Sequence, residues 1–98
     1  MRIDKVIAYY EVWPDEPFPF AKFRVKVLER SQGGYLAIPN LAVFDHGTRE
    51  PEWISGIGDS TEEAMDDLLP RFFDGVRQHS PVGGLSEANF VWSAPEDF

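Results

Sequence analysis

The stretch Gly56–Gln78, GIGDSTEEAMDDLLPRFFDGVRQ, decides the fold. Gly56 and Gly58 read as a sharp turn, because glycine takes positive φ at no steric cost. Ser60 stands at the N-cap position with Glu63 three residues on, the S-x-x-E capping box. In that motif the hydroxyl accepts from the N3 amide and the carboxylate reaches back to the N-cap amide. Behind it Ala64, Met65, Leu68, Leu69, Phe72, Phe73 and Val76 form one broad apolar stripe at helical period. Asp59, Glu62, Glu63, Asp66 and Asp67 crowd the N-terminal half, where the macrodipole favours anions. Arg71 and Arg77 fall where it favours cations. Pro70 removes the amide that would bond to Asp66, an interior fault worth on the order of 3 kcal/mol. The stripe continues through it, so the spacing predicts a kinked helix or two abutting ones.

The rest of the chain reads as sheet. AKFRVKVLER (residues 21–30) alternates Phe23, Val25 and Val27 against Lys22, Arg24 and Lys26, the pattern of a half-buried strand. Ser31–Gly34 is a turn, and YLAIPNLAVF (35–44) is the return strand of a hairpin, bent or bulged at Pro39-Asn40. DHGTREPE (45–52) is a polar loop, WISGI (53–57) a third strand, and NFVW (89–92) a strand after the helix. Residues 1–12 fit either a strand or a short helix, and their Val, Ile and Tyr content tips the reading to strand. WPDEPFPF (13–20) is a proline-rich connector that packs along the domain edge or serves as a recognition segment. Residues 93–98 read as a frayed acidic tail. The expected class is α+β: a β-β-β-α-β antiparallel sheet with one main helix on one face.

At 98 residues and 43% hydrophobic content the chain makes one globular domain with a single core. It has no cysteine, which removes disulfides and thiolate chemistry and fits a cytoplasmic setting. No apolar run suggests a membrane span or a leader. The net charge is −8, and residues 45–98 carry twelve acids against three bases. Such a surface repels phosphate and suits a basic protein partner, or serves solubility alone.

Three ordered pieces carry a resemblance. Phe23-x-Val25-x-Val27, then Gly33-Gly34-Tyr35-x-Ala37-x-Pro39-x-Leu41, then Gly58-Asp59-Ser60-x-Glu62-Glu63-Ala64 resemble the HicB-like antitoxin family. The likeness spans about residues 21–78 within a family core of about 21–92. It implies a β-β-β-α-β domain, part of a ribonuclease H-like fold, which binds and blocks a small basic RNA-cleaving toxin of the HicA type. Many members add a C-terminal DNA-binding domain. This sequence leaves no room for one, so DNA binding is not expected. It also has an N-terminal extension (1–20) and an insertion at His46–Trp53.

The expected mode of action is therefore binding, with no catalytic residue, no cofactor and no metal assigned. Glu62, Asp66 and Asp67 are the expected toxin-facing residues. Lys22, Arg24 and Lys26 form either a nucleic-acid face or a solubilised, edge-protecting strand face. Exposed sheet surface and Trp13, Trp53 and Trp92 favour a homo-oligomer, and a stand-alone oligomer without a toxin is the alternative. His46 with Asp45, Glu50 and Glu52 is the densest chemical cluster, suited to zinc or acid–base work but read as a solvated loop. His79 reads as a dipole partner or an exposed side chain beyond the helix end.

Overall fold

The computed structural model describes residues 1–98 as an α+β fold of two antiparallel sheets and one long helix. The strands are β1 (Lys5–Val12), β2 (Phe23–Glu29), β3 (Tyr35–Pro39), β4 (Leu41–Phe44), β5 (Pro51–Glu52), β6 (Gly56–Gly58) and β7 (Phe90–Trp92). The helix, α1, is Thr61–Gln78. It is not long and apolar enough to cross a membrane.

The larger sheet has the order β1-β2-β3-β6, and the smaller β5-β4-β7. One sheet was expected, and the division falls at the predicted bend. Pro39 ends β3, and Asn40 then ties both sheets together. Its amide donates to the Arg24 carbonyl at 2.9 Å, and its Oδ1 accepts from the Arg24 amide, also at 2.9 Å. Its own carbonyl accepts from Ser93 at 2.8 Å. The strand after the helix, β7, accordingly pairs with β4 and not with the larger sheet.

Residues 5–12 are a strand, paired along β2 with a bulge between Val6 and Ala8. This places β2 in the sheet interior, between β1 and β3, and corrects the expectation that Lys22, Arg24 and Lys26 protect an edge. The long edge strand is β1. Its Lys5 and its bulge are the features that discourage further pairing.

The helix is capped much as its sequence foretells. Ser60 Oγ accepts from the Glu63 amide at 3.1 Å. The reciprocal arm lands one residue earlier than the motif requires, with Glu63 Oε2 accepting from the Asp59 amide at 2.9 Å. Pro70 does not divide the helix, which runs unbroken through it. Both Pro70 and Asp66 face solvent, where water can take the freed carbonyl.

Met65, Leu68, Phe72 and Val76 are buried against Phe23, Val25, Val27, Ala37 and Leu41. Each such large side chain contributes about 1.5–3 kcal/mol on burial. Gly56 and Gly58 do not form the turn expected of them. They lie in β6, where a Cβ on Gly56 would stand 2.4 Å from the Ala64 carbonyl oxygen and one on Gly58 2.5 Å from the Ala64 nitrogen. Their role is close approach of helix to strand. The positive-φ glycines are Gly33, Gly34 and Gly84.

The proline-rich connector completes the core. Phe18 packs on Phe90 (centroids 5.1 Å apart) and on Phe73 (6.0 Å), and Phe20 on Trp92 (4.8 Å). The C-terminal residues are not a frayed tail. Pro95–Asp97 makes a 3-10 turn that returns Phe98 to the far face of the larger sheet.

Candidate functional site

Three groups of charged side chains compete for a functional role. The first is the basic set on β2 and just before it. Lys22 is ion-paired with Glu11 and lies 5.1 Å from the centre of the Trp13 ring. The Lys22 ammonium, by hydrogen bond first and by charge second, holds the Glu11 carboxyl below its ordinary range. Arg24 sits over Tyr9 at 4.8 Å. Lys26 is only 7% exposed, its ammonium donating to the Phe98 backbone oxygen at 2.6 Å and lying 4.8 Å from the Phe98 ring centre. The expectation of an open basic face fails at Lys26. The alternating pattern placed it opposite the core correctly, but a segment far along the chain covers it.

The second group is the acidic half of α1. Asp67 is turned inward to the fold: its Oδ2 accepts from the Ile57 amide at 2.9 Å and from Arg71 at 2.9 Å. Those donors, the Ile57 amide foremost, lower its pKa. Arg71 also donates to the Ser55 carbonyl, so this pair staples β6 to the helix. Glu62 and Asp66, one turn apart, are exposed and have no cationic partner.

The third group was not assembled by sequence reasoning. His79 caps the C-terminus of α1 and is 5% exposed, which corrects its reading as an exposed group. Its Nε2 lies 2.8 Å from Oε2 of Glu52 in β5 and 3.9 Å from Oδ2 of Asp45. Its Nδ1 faces Nδ1 of His46 at 3.1 Å. Asp45 Oδ1 accepts from the amides of Gly47 (2.7 Å) and Thr48 (3.2 Å), which shapes the turn between β4 and β5. The Thr48 and Gly47 amides, with smaller help from His79 and His46, lower the Asp45 pKa. The loop read as solvated is thus anchored at Asp45 and Glu52, while Glu50 stays exposed.

No protein-family model, curated protein or solved structure matches this chain.

What these groups can do follows from their chemistry. A carboxylate on one ring nitrogen fixes a histidine's tautomer and orientation, and leaves the other nitrogen as a ligand or a base. One ligand atom from each of Asp45, His46 and His79 lies within 4.8 Å of the other two. Glu62 and Asp66 offer unneutralised charge at the helix start. A shallow groove of about 550 Å³ runs between Glu16–Pro19 and the helix end, bridged by Arg77 and Glu16 at 2.7 Å.

Proposed function

We propose that this domain acts by binding, covering a small basic RNA-cleaving protein of the HicA type with the acidic face of α1. The observation that carries the reading is the pair Glu62 and Asp66, exposed and free of any cation on the first two turns of the helix. Their charge adds to a net −8 and points to a partner of opposite sign. The resemblance of residues 21–78 to HicB-like antitoxins supports the same partner class. Asp67 is a smaller contributor than its neighbours, since Arg71 already offsets its charge. Masking by such a face is steric and electrostatic, and it needs no catalytic group.

The test is capture of partners from native lysate by the wild-type protein and by E62K/D66K, at low and high salt. The reading expects a small basic protein held by the wild type at low salt and lost from the variant. Equal recovery by both proteins contradicts it.

A second reading has its own observation. The open edge β1 exposes Ile7 and Tyr9, and Trp53 and Ile57 are also exposed. Pairing of two β1 edges would give a homodimer that binds without a toxin. Light scattering of the purified chain separates a dimer from a monomer, and the charge variant leaves that result unchanged.

A further inference from the structure

We propose that His79 and His46, through their Nδ1 atoms, bind a divalent cation of the zinc class together with the Asp45 carboxylate. Glu52 orients His79 without touching the metal. The argument starts at the buried ring. Glu52 Oε2, 2.8 Å from Nε2, holds the ring proton on that nitrogen. Nδ1 then carries a lone pair, aimed at Nδ1 of His46 3.1 Å away. Two imidazoles bound to one tetrahedral zinc at the usual bond lengths keep their ligand nitrogens about 3.3 Å apart. The observed spacing is close to that value.

The third ligand is prepared by the turn that carries it. The two amides that hold Asp45 Oδ1 anchor that oxygen, and Oδ2 is left without a hydrogen-bond donor, 3.9 Å from Nε2 of His79. The set of ligand atoms spans up to 4.8 Å and Oδ2 approaches His79 from its Nε2 side, so Oδ2 must swing toward the two Nδ1 atoms, with the exposed His46 moving inward, to complete a first shell. His46 stands on an exposed turn and can do so. Two imidazoles and one carboxylate suit zinc and its transition-metal neighbours, whereas magnesium and calcium prefer all-oxygen shells. The position favours a cation in two further ways: it lies at the C-terminal, negative end of α1 and beside a carboxylate already hydrogen-bonded to one ligand. Water completes the fourth position on the solvent side. A loaded site clamps the β4–β5 turn to the helix end, independently of what the helix start binds.

The test is calorimetric titration of the tag-free full chain with Zn²⁺, with Mg²⁺ as the control. The structure leads us to expect one Zn²⁺ per chain and no Mg²⁺ uptake. At a hundredfold excess over Kd, a site binding the folded chain alone raises Tm by about 11–20 °C. H46A removes an exposed ligand and keeps the fold, as circular dichroism will show; it weakens binding at least about tenfold. D45N retains the acceptor for the turn amides but loses the charge, and it weakens binding in the same direction. Absence of saturable Zn²⁺ binding overturns the proposal and leaves a plain imidazole–imidazole hydrogen bond. Binding of equal strength in H46A overturns it as well, because it places the metal elsewhere.

Discussion

Nε2 of His79, at the end of α1, and Oε2 of Glu52, in β5, are joined at 2.8 Å across 27 residues of sequence. The helix otherwise rests mainly on β3 and β6, in the larger sheet. This bond adds a polar tie to the smaller one, beside the core packing of the helix with Leu41 and Phe90.

His79→Ala is expected to lower the unfolding free energy by about 2 kcal/mol, through a lost buried hydrogen bond and the space left behind. Glu52→Gln keeps an acceptor at the same place and is expected to cost less than about 1 kcal/mol. Urea unfolding of both variants checks this. A His79→Ala variant as stable as the wild type would mean that the tie contributes nothing.

Gly56→Ala is expected to destabilise by about 1–3 kcal/mol, because its new Cβ meets helix backbone that cannot move aside. Gly83→Ala meets nothing within 4 Å and is expected to stay within about 0.5 kcal/mol of wild type. Equal effects at the two sites would remove close helix–strand approach as the reason for glycine in β6.

Acid should act through Asp67. Its pKa is lowered in the fold from an ordinary value of 3.8, so its contribution is fully present above that value. It disappears as pH falls through the lower folded value. Asp67→Asn is thus expected to melt below wild type near neutrality, with the gap narrowing as pH drops below about 4. Thermal melts across that range decide it. A gap that widens in acid would have the wrong sign.

The elements visible in the sequence are those built from neighbours. The capping box, the apolar stripe of α1, the β2–β3 hairpin and the break at Pro39-Asn40 each depend on residues a few positions apart. What stayed hidden depends on distant partners. His79 is buried by Glu52 and His46, 27 and 33 residues away, and no local period announces that meeting. Lys26 shows the same limit. Its place in the alternation is right, yet its burial depends on Phe98, 72 residues on. Gly56 and Gly58 misled for a related reason: a glycine needed for close packing and one needed for a turn look alike in sequence.

Replacing Lys26 tests that cover. Lys26→Met fills similar space without a charge to desolvate and is expected to match or exceed wild-type stability. Phe98→Ala removes the ring over the ammonium and is expected to cost about 1 kcal/mol. Urea midpoints measure both. A loss above about 2 kcal/mol for Lys26→Met would show that the ammonium itself holds the sheet face together.

The acidic start of α1 is the proposed docking surface. Its most direct test is the Kd of the captured basic partner for wild type and for E62K/D66K, measured over a range of salt. The variant is expected to bind at least about tenfold more weakly at low salt, with the two affinities converging as salt rises. Affinities that stay equal at every salt concentration, or a lysate that yields no basic partner, would contradict it.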